Sequence, residues 1–276
     1  MRFFYLLLIY VFTTVPVLSQ QEIKYFPGEL NIQPFTANLL EPKLGFSFKL
    51  NEGDIRLDIG NSRDLIHFKS NEFTTYSLGA ELFTFTKLKG EADFHFPVDA
   101  VDYLFGINAG YKTIHNDIEF GLRLRISHIS AHLVDGHFDP QTNTWKDNRN
   151  PIVYSREFIE LLPYWRKEGL RLYGGFTYLF HVVPKDIGKS YFQAGMDWFF
   201  TGLFSKKINP FFAYDFKLMK LNKYSGVNSV AAGVKFGNYD SSGFSVSLNY
   251  FSGYSFQGEY YNLYEKYFSL NFNIDL

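Results

Sequence analysis

The chain has 276 residues, a formal net charge of −1 and no cysteine. This balance gives no electrostatic case for nucleic acid as a partner, and the missing thiols exclude disulfides, thiolate catalysis and a lipoprotein anchor. There are 32 Phe and 20 Tyr, yet the mean hydropathy is slightly negative. Aromatic residues interleaved with polar ones favour a membrane barrel over a soluble core built from long apolar runs.

The N-terminus predicts export. Arg2 precedes a short apolar run, and small residues close the segment. We interpret residues 1–19 as a signal peptide cleaved after Ser19, because the apolar run is too short to span a bilayer. Residues 20–42 contain three prolines and predict an irregular lead-in that tucks into the interior of a barrel formed by residues 43–276.

Hydrophobic residues recur with period two along the rest of the chain. In residues 264–276, apolar side chains occupy every second position from Phe268 to Leu276, with Ser, Asn and Asp between them. Successive side chains of a strand point to opposite faces, so one set would face lipid and the other a polar lumen. The pattern therefore predicts membrane-spanning strands.

Thirteen segments fit a strand assignment: 43–50, 54–60, 73–87, 90–96, 102–113, 117–132, 152–165, 169–182, 190–204, 208–220, 226–238, 243–253 and 264–276. Single-chain bacterial barrels have an even number of strands, so either 90–96 is misassigned or a further strand lies near 30–38. We predict an all-β fold, a transmembrane antiparallel β-barrel of about 12 strands (10–14), in the outer membrane of a Gram-negative bacterium. Longer polar links, predicted to be mostly external, lie near 60–72, 133–151, 183–189 and 254–262.

The strand predicted at 117–132 has two chemically different faces. Apolar residues at alternate positions from Ile118 to Ile126 are predicted to face lipid. The positions between them are predicted to face the lumen together with Arg171, and they include Glu119, Arg123 and Arg125. These charges predict an ion network that fills the interior or lines a narrow polar channel.

The lipid-facing side of this strand continues toward the external end as His128 and Ser130. If His132 lies opposite Val153 on the next strand, then His128 lies opposite Glu157, within side-chain reach. Ser130 as nucleophile, His128 as base and Glu157 as orienting carboxylate would then form a hydrolytic triad that acts on lipid esters. The simpler interpretation is that these are ordinary polar residues at headgroup level.

The external rim offers another site. His132 and Asp135, with His128, His137 and Asp139, could bind a divalent metal through imidazole and carboxylate ligands, although a solvated loop is the simpler interpretation. No other cofactor is predicted. Four further histidines are scattered and form no constellation: His67, His95, His115 and His181.

The motif His128-Ile129-Ser130, with Glu157, resembles the outer-membrane phospholipase A and the outer-membrane lipid A deacylase. Catalytic His and Ser residues in those families are two apart, with an Asn or Glu on the next strand. The Asn that commonly follows the Ser there is Ala131 here. The resemblance implies acyl-ester hydrolysis in phospholipid or lipid A.

A broader resemblance covers most of the mature chain. The stretches Asp102–Gly106, Arg125–Asp135 and Leu170–Pro184 resemble an uncharacterised bacterial family, domain of unknown function 1207. That family carries His-x-Ser-Ser-His-x-Gly-Asp-Glu, and its second Ser is Ala131 here. The matching residues are His128, Ser130, His132 and Asp135. The resemblance implies an exported barrel and no particular activity.

Two function classes follow. The first is a non-enzymatic barrel, either structural or a small channel, and the alternative is an outer-leaflet lipid hydrolase. Outer-membrane lipids are the expected surroundings in both cases. The C-terminal strand, with its alternate aromatics and apolar Leu276, also resembles the signal read by the outer-membrane assembly machinery, which is the second expected partner.

Overall fold

Alternating sequence patterns fold into strands throughout residues 22–205 and 207–275, which are the residues described by the computed structural model. The strands are β1 (Glu22–Tyr25), β2 (Leu44–Lys49), β3 (Ile55–Lys69), β4 (Thr74–Leu88), β5 (Val98–His115), β6 (Ile118–Leu133), β7 (Phe138–Asp139), β8 (Thr144–Trp145), β9 (Tyr154–Lys167), β10 (Leu170–Val183), β11 (Ser190–Phe199), β12 (Ile208–Leu221), β13 (Lys223–Gly237), β14 (Gly243–Tyr254) and β15 (Tyr264–Asp275). The helical segments among these residues are single 3₁₀ turns, and no helix there is long and apolar enough to cross a membrane. The predicted signal peptide, residues 1–19, lies outside the described residues.

Twelve of these strands form one closed antiparallel sheet. Strands β2 to β6 and β9 to β15 pair in sequence order around the barrel, and β15 closes it by pairing with β2. Strands β7 and β8 form a separate hairpin inside the loop that joins β6 to β9. The predicted twelve-stranded barrel is confirmed.

The two faces of the wall differ as the period-two pattern predicts. On β6, Ile126 is 43% exposed on the outer face, whereas its neighbour Arg125 is completely buried inside. Outward aromatic and aliphatic side chains recur around the barrel, for example Phe105 on β5 and Phe192 on β11. An apolar outer belt around a polar interior is typical of outer-membrane barrels.

The connections distinguish the two ends of the barrel. Residues 116–117 and 168–169 make tight turns at one end, which we call the turn end. The opposite end, the loop end, carries the long connections 89–97, 134–153 and 255–263. Antiparallel strands alternate in direction, so residues near the C-terminal end of β6 lie at the loop end.

The first position in the wall is shared by two short strands. Strand β1 pairs with the turn-end half of β3 and β2 pairs with its loop-end half. Between them, residues 26–43 leave the wall and enter the lumen; we call this segment the plug. The side chains of Phe35, Asn38 and Glu41 within it are fully buried.

Of the two alternatives left by the odd strand count, the first is confirmed: residues 90–96 are a loop containing a 3₁₀ turn, and the region 30–38 contains no strand. Two details of the sequence prediction are wrong. Residues 22–25 form a strand within the predicted irregular lead-in, and the predicted link at 60–72 is a strand as far as Lys69. Ser62 and Asp64 in this stretch are buried on the lumenal face, and Asp64 Oδ2 accepts the backbone N–H of Asn31 of the plug at 2.7 Å.

Candidate functional site

A histidine–carboxylate cluster lies on the outer face near the loop end. Strands β6 and β9 pair so that His128 stands directly opposite Glu157, which is the register assumed from the sequence. His128 Nδ1 and Glu157 Oε1 are 2.7 Å apart. The ring of Phe105 on β5 packs beside the imidazole, with 4.9 Å between ring centroids. A packed and hydrogen-bonded histidine is held in one orientation, as a base or a ligand must be.

A second histidine, His181, completes the cluster. The prediction that His181 belongs to no cluster is therefore wrong. Strand β10 pairs with β9 through Leu179 and then skips Phe180, so that His181 comes opposite Glu157. This bulge turns His181 outward, where its Nδ1 contacts Glu157 Oε2. Strict alternation would have placed His181 on the lumenal face with Leu179. Glu157 therefore bridges two imidazoles on neighbouring strands.

Two serines, Ser130 and Ser155, lie near this cluster, but only Ser155 is hydrogen-bonded to it. Ser130 shares the outer face with His128 and stands opposite Ser155, but its side chain makes no hydrogen bond to the residues that the structure describes. Ser155 Oγ instead donates to Glu157 Oε1 at 3.1 Å. The structure thus joins two of the three residues of the predicted triad, His128 and Glu157, and leaves Ser130 unengaged. Ala131 faces inward and is fully buried.

The rim residues do not assemble into a metal centre. His132 is exposed on the outer face with its ring 6.0 Å from that of Tyr103, and Asp135 is the exposed first residue of a 3₁₀ turn. His137, in contrast, is buried, and its Nδ1 lies 2.6 Å from Asp99 Oδ1. Residues 22–205 and 207–275 contain no group of three or more His, Cys, Asp or Glu positioned to hold a metal ion.

Two loops fold over the mouth of the barrel at the loop end. In loop 255–263, Glu259 accepts the backbone N–H groups of Leu133 at 3.2 Å and Ile152 at 3.3 Å. Burial raises the pKa of this carboxyl group above its usual range. The Tyr260 hydroxyl donates to Asp99 Oδ2 at 2.6 Å, and burial raises the pKa of this phenol as well. Loop 255–263 is therefore held over part of the mouth by hydrogen bonds.

The lumen contains the predicted charges, and they hold the plug. Arg123 Nη1 donates to Glu41 Oε2 at 2.7 Å, and Arg123 also pairs with Glu160 at 3.3 Å. Arg125 pairs with Glu81 and Glu160, both at 3.3 Å. The guanidinium of Arg125 also donates to a plug carbonyl, that of Leu40, at 3.1 Å.

Further toward the turn end, Arg171 donates to the carbonyls of Gln33 at 2.8 Å and Pro34 at 2.6 Å, and it pairs with Asp197. Glu119 is separate from this network, since it pairs with Arg166 and accepts the Tyr164 hydroxyl, each at 2.6 Å. Sequence reasoning identified the wall charges but missed their partners on the plug. Glu41 lies in an irregular segment without periodicity, so its orientation had no sequence signal.

The match to known proteins settles the family. The family model described as "Protein of unknown function (DUF1207)" matches residues 97–274, well over half of the chain. The chain belongs to the DUF1207 family. The matched region of this DUF1207 barrel contains His128, Glu157 and His181, whereas the plug lies before it. The similarity to outer-membrane lipases stays a prediction.

Two solved structures are similar to this DUF1207 barrel. The beta domain of the Bordetella autotransporter BrkA has a TM-score of 0.40 and 8% identity, over 84% of this chain and 96% of that one. The outer membrane protein OprD from Pseudomonas aeruginosa has a TM-score of 0.33 and 7% identity, over 81% and 75%. No curated protein sequence matches the chain.

Proposed function

We propose that this DUF1207 barrel is a non-enzymatic outer-membrane protein, a small channel whose lumen is closed at rest by its own plug. The carrying observation is that wall arginines bind the plug at two levels, Arg123 through Glu41 and Arg171 through two backbone carbonyls. Charged side chains that line an open pore remain solvated, whereas these are buried and paired. Conduction then requires the plug to move.

The surroundings of the plug support movement better than a fixed core. A cavity of about 940 Å³, including its open mouth, lies at the turn end between the plug and the wall. Its lining includes Lys235 and Asp275 together with uncharged polar residues of β14 and β15 such as Ser247 and Asn271. The turn-end side of the plug is therefore not packed against the wall along its whole length.

Planar-bilayer conductance tests the proposal. The wild type is expected to be silent or to open rarely, and the double variant Arg123→Met/Arg171→Met to conduct frequently, because both plug anchors are lost. Arg166→Met is the matched control, since it removes an arginine of the same lumen that pairs with Glu119 on the wall. If the folded double variant is as silent as the wild type, the channel role is wrong and a structural role is left.

The alternative, an outer-leaflet lipid hydrolase, is favoured by one observation. His128 and Glu157 form a base–carboxylate pair on the outer face near the loop end. Ser130 and Ser155 are the neighbouring hydroxyls. Mass spectrometry of lipid A and phospholipids from cells expressing wild type, Ser130→Ala or Ser155→Ala distinguishes the two functions. Our proposal expects three identical lipid profiles, and loss of an acyl chain that depends on either serine would establish the hydrolase.

A further inference from the structure

A second cavity lies inside the barrel at the loop end, directly above the plug. It has a volume of about 680 Å³ including its mouth. Its wall is mostly aliphatic and aromatic. The residues that form it include Leu40 from the plug, Tyr191, Met219 and Leu221 from strands β11 and β12, and Phe256 from loop 255–263.

One charged side chain on this wall is buried without a partner. Arg156 on β9 is 6% exposed, and no carboxylate of the described residues lies within the 4.0 Å limit of an ion pair with its guanidinium. Its Nε atom has no hydrogen bond. The guanidinium lies 5.0 Å from the ring of Tyr154, whose aromatic face stabilises a cation. A buried unpaired cation is costly, so this position favours an anion.

No charge of the described residues forms an ion pair with Arg156. Asp102 on β5 is near enough to interact with it electrostatically, but Asp102 Oδ2 accepts the backbone N–H of Gly258 at 2.7 Å. Lys217 is already bound to Asp215 at 2.6 Å and to Asn38 at 2.8 Å. The residues lining the cavity include three cations, Arg156, Lys217 and Lys220, and no carboxylate. The site is therefore apolar with an excess of positive charge.

We propose that this cavity binds a single-chain amphipathic anion, namely the carboxylate of a free fatty acid, with Arg156 as the anchor. The planar guanidinium can donate two parallel hydrogen bonds to a carboxylate. The acyl chain would then pack along Leu40, Met219 and Leu221. A phospholipid, with two chains and a large headgroup, fits this enclosed space less well. The inference does not depend on whether the plug opens.

Equilibrium dialysis of radiolabelled dodecanoate against the full-length protein in maltoside micelles tests this, with empty micelles as the blank. One dodecanoate per chain is expected for the wild type. Arg156→Met should weaken binding about 30-fold or more, because the carboxylate loses its buried charge partner. Arg156→Lys should bind with intermediate affinity. Lys185→Met removes an exposed cation from the same end of the barrel and should leave binding unchanged.

A second variant keeps the proposal testable if Arg156→Met fails to fold. Val227→Phe fills the apolar part of the cavity, since Val227 is a buried lining residue, and it should abolish dodecanoate binding while Arg156 remains. Equal binding of dodecanol and dodecanoate would overturn the anchoring role of Arg156. Undiminished binding by Val227→Phe, or a phospholipid found in the wild-type cavity by native mass spectrometry, would overturn the assignment to a single-chain anion.

Discussion

Arg123→Met is expected to release the plug while the wall of the barrel stays intact. Arg123 contributes two hydrogen bonds to Glu41, which is fully buried. Methionine keeps an apolar side chain of similar reach but provides no donor. The remaining side-chain hydrogen bond to Glu41 then comes from Asn38 at 2.8 Å, so a carboxylate is left in the lumen with weak compensation.

The size of the effect follows from the local charges. The carboxylates of Glu41, Glu81 and Glu160 surround Arg123 and Arg125, so the substitution leaves three acids facing one guanidinium. Removing one partner of a buried pair costs roughly 3–5 kcal/mol. Since every 1.4 kcal/mol is about tenfold, the population with a released plug should rise roughly 100- to 4,000-fold.

The chain has no cysteine, so a single introduced thiol reports plug release. Ala37→Cys places it on the plug at a position that is 1% exposed, and the rate of maleimide labelling is measured with and without Arg123→Met. The control Arg166→Met should label slowly. Arg123→Met/Glu41→Gln should also label more slowly than Arg123→Met alone, because no stranded carboxylate remains. Labelling of Arg123→Met at the wild-type rate would refute the role of this ion pair.

Three further outcomes are expected. Ile107→Arg, in the middle of β5 on the outer face, should cost roughly 2–4 kcal/mol of membrane stability and reduce the folded fraction in heat-modifiable gel mobility; an unchanged fraction would argue against a lipid-facing belt. The raised pKa of Glu259 means that the docked loop 255–263 keeps a proton that the undocked loop releases, so docking weakens as pH rises from the usual carboxyl range to the raised value. Hydrogen exchange of that loop, corrected for its intrinsic rate, should accelerate over this window in the wild type and not in Glu259→Gln. Gly258→Leu should undock the same loop and expose it to protease, because a Cβ there would lie 2.3 Å from the ring of Tyr154; a protected loop would show that the neighbouring ring can move aside.

The wall of the barrel was predictable because alternation follows from the pleat of each strand. The two faces of β6 and the pairing of His128 with Glu157 both follow from this alternation of side chains. The alternation no longer predicts the face of a residue where a bulge interrupts the pleat. The bulge at Phe180 moves His181 from the lumenal to the outer face, and nothing in the local sequence distinguishes it from regular alternation.

The interior was less predictable because its partners lie far apart in the chain and have no periodicity. The polar residues near Asp64 suggest a loop in the sequence, but they form part of a strand. The buried Asp64 carboxylate of this strand accepts the backbone N–H of Asn31 in the plug. Likewise, Arg123 and Glu41 are 82 residues apart. Sequence patterns identify which wall residues face inward, whereas the segment that meets them is determined by three-dimensional packing.

The split first strand has a mechanical consequence. The plug is anchored at both ends, because β1 and β2 are each hydrogen-bonded to β3. It therefore differs from a plug that is attached to its barrel at one end only. A pull on the chain before Glu22 loads only the four residue pairs of β1, whereas the same pull on the β2 side loads a strand held from both sides by β3 and β15. The β1 anchor of the plug is therefore weaker than the β2 anchor, and tension applied to the chain before Glu22 acts on the weaker one.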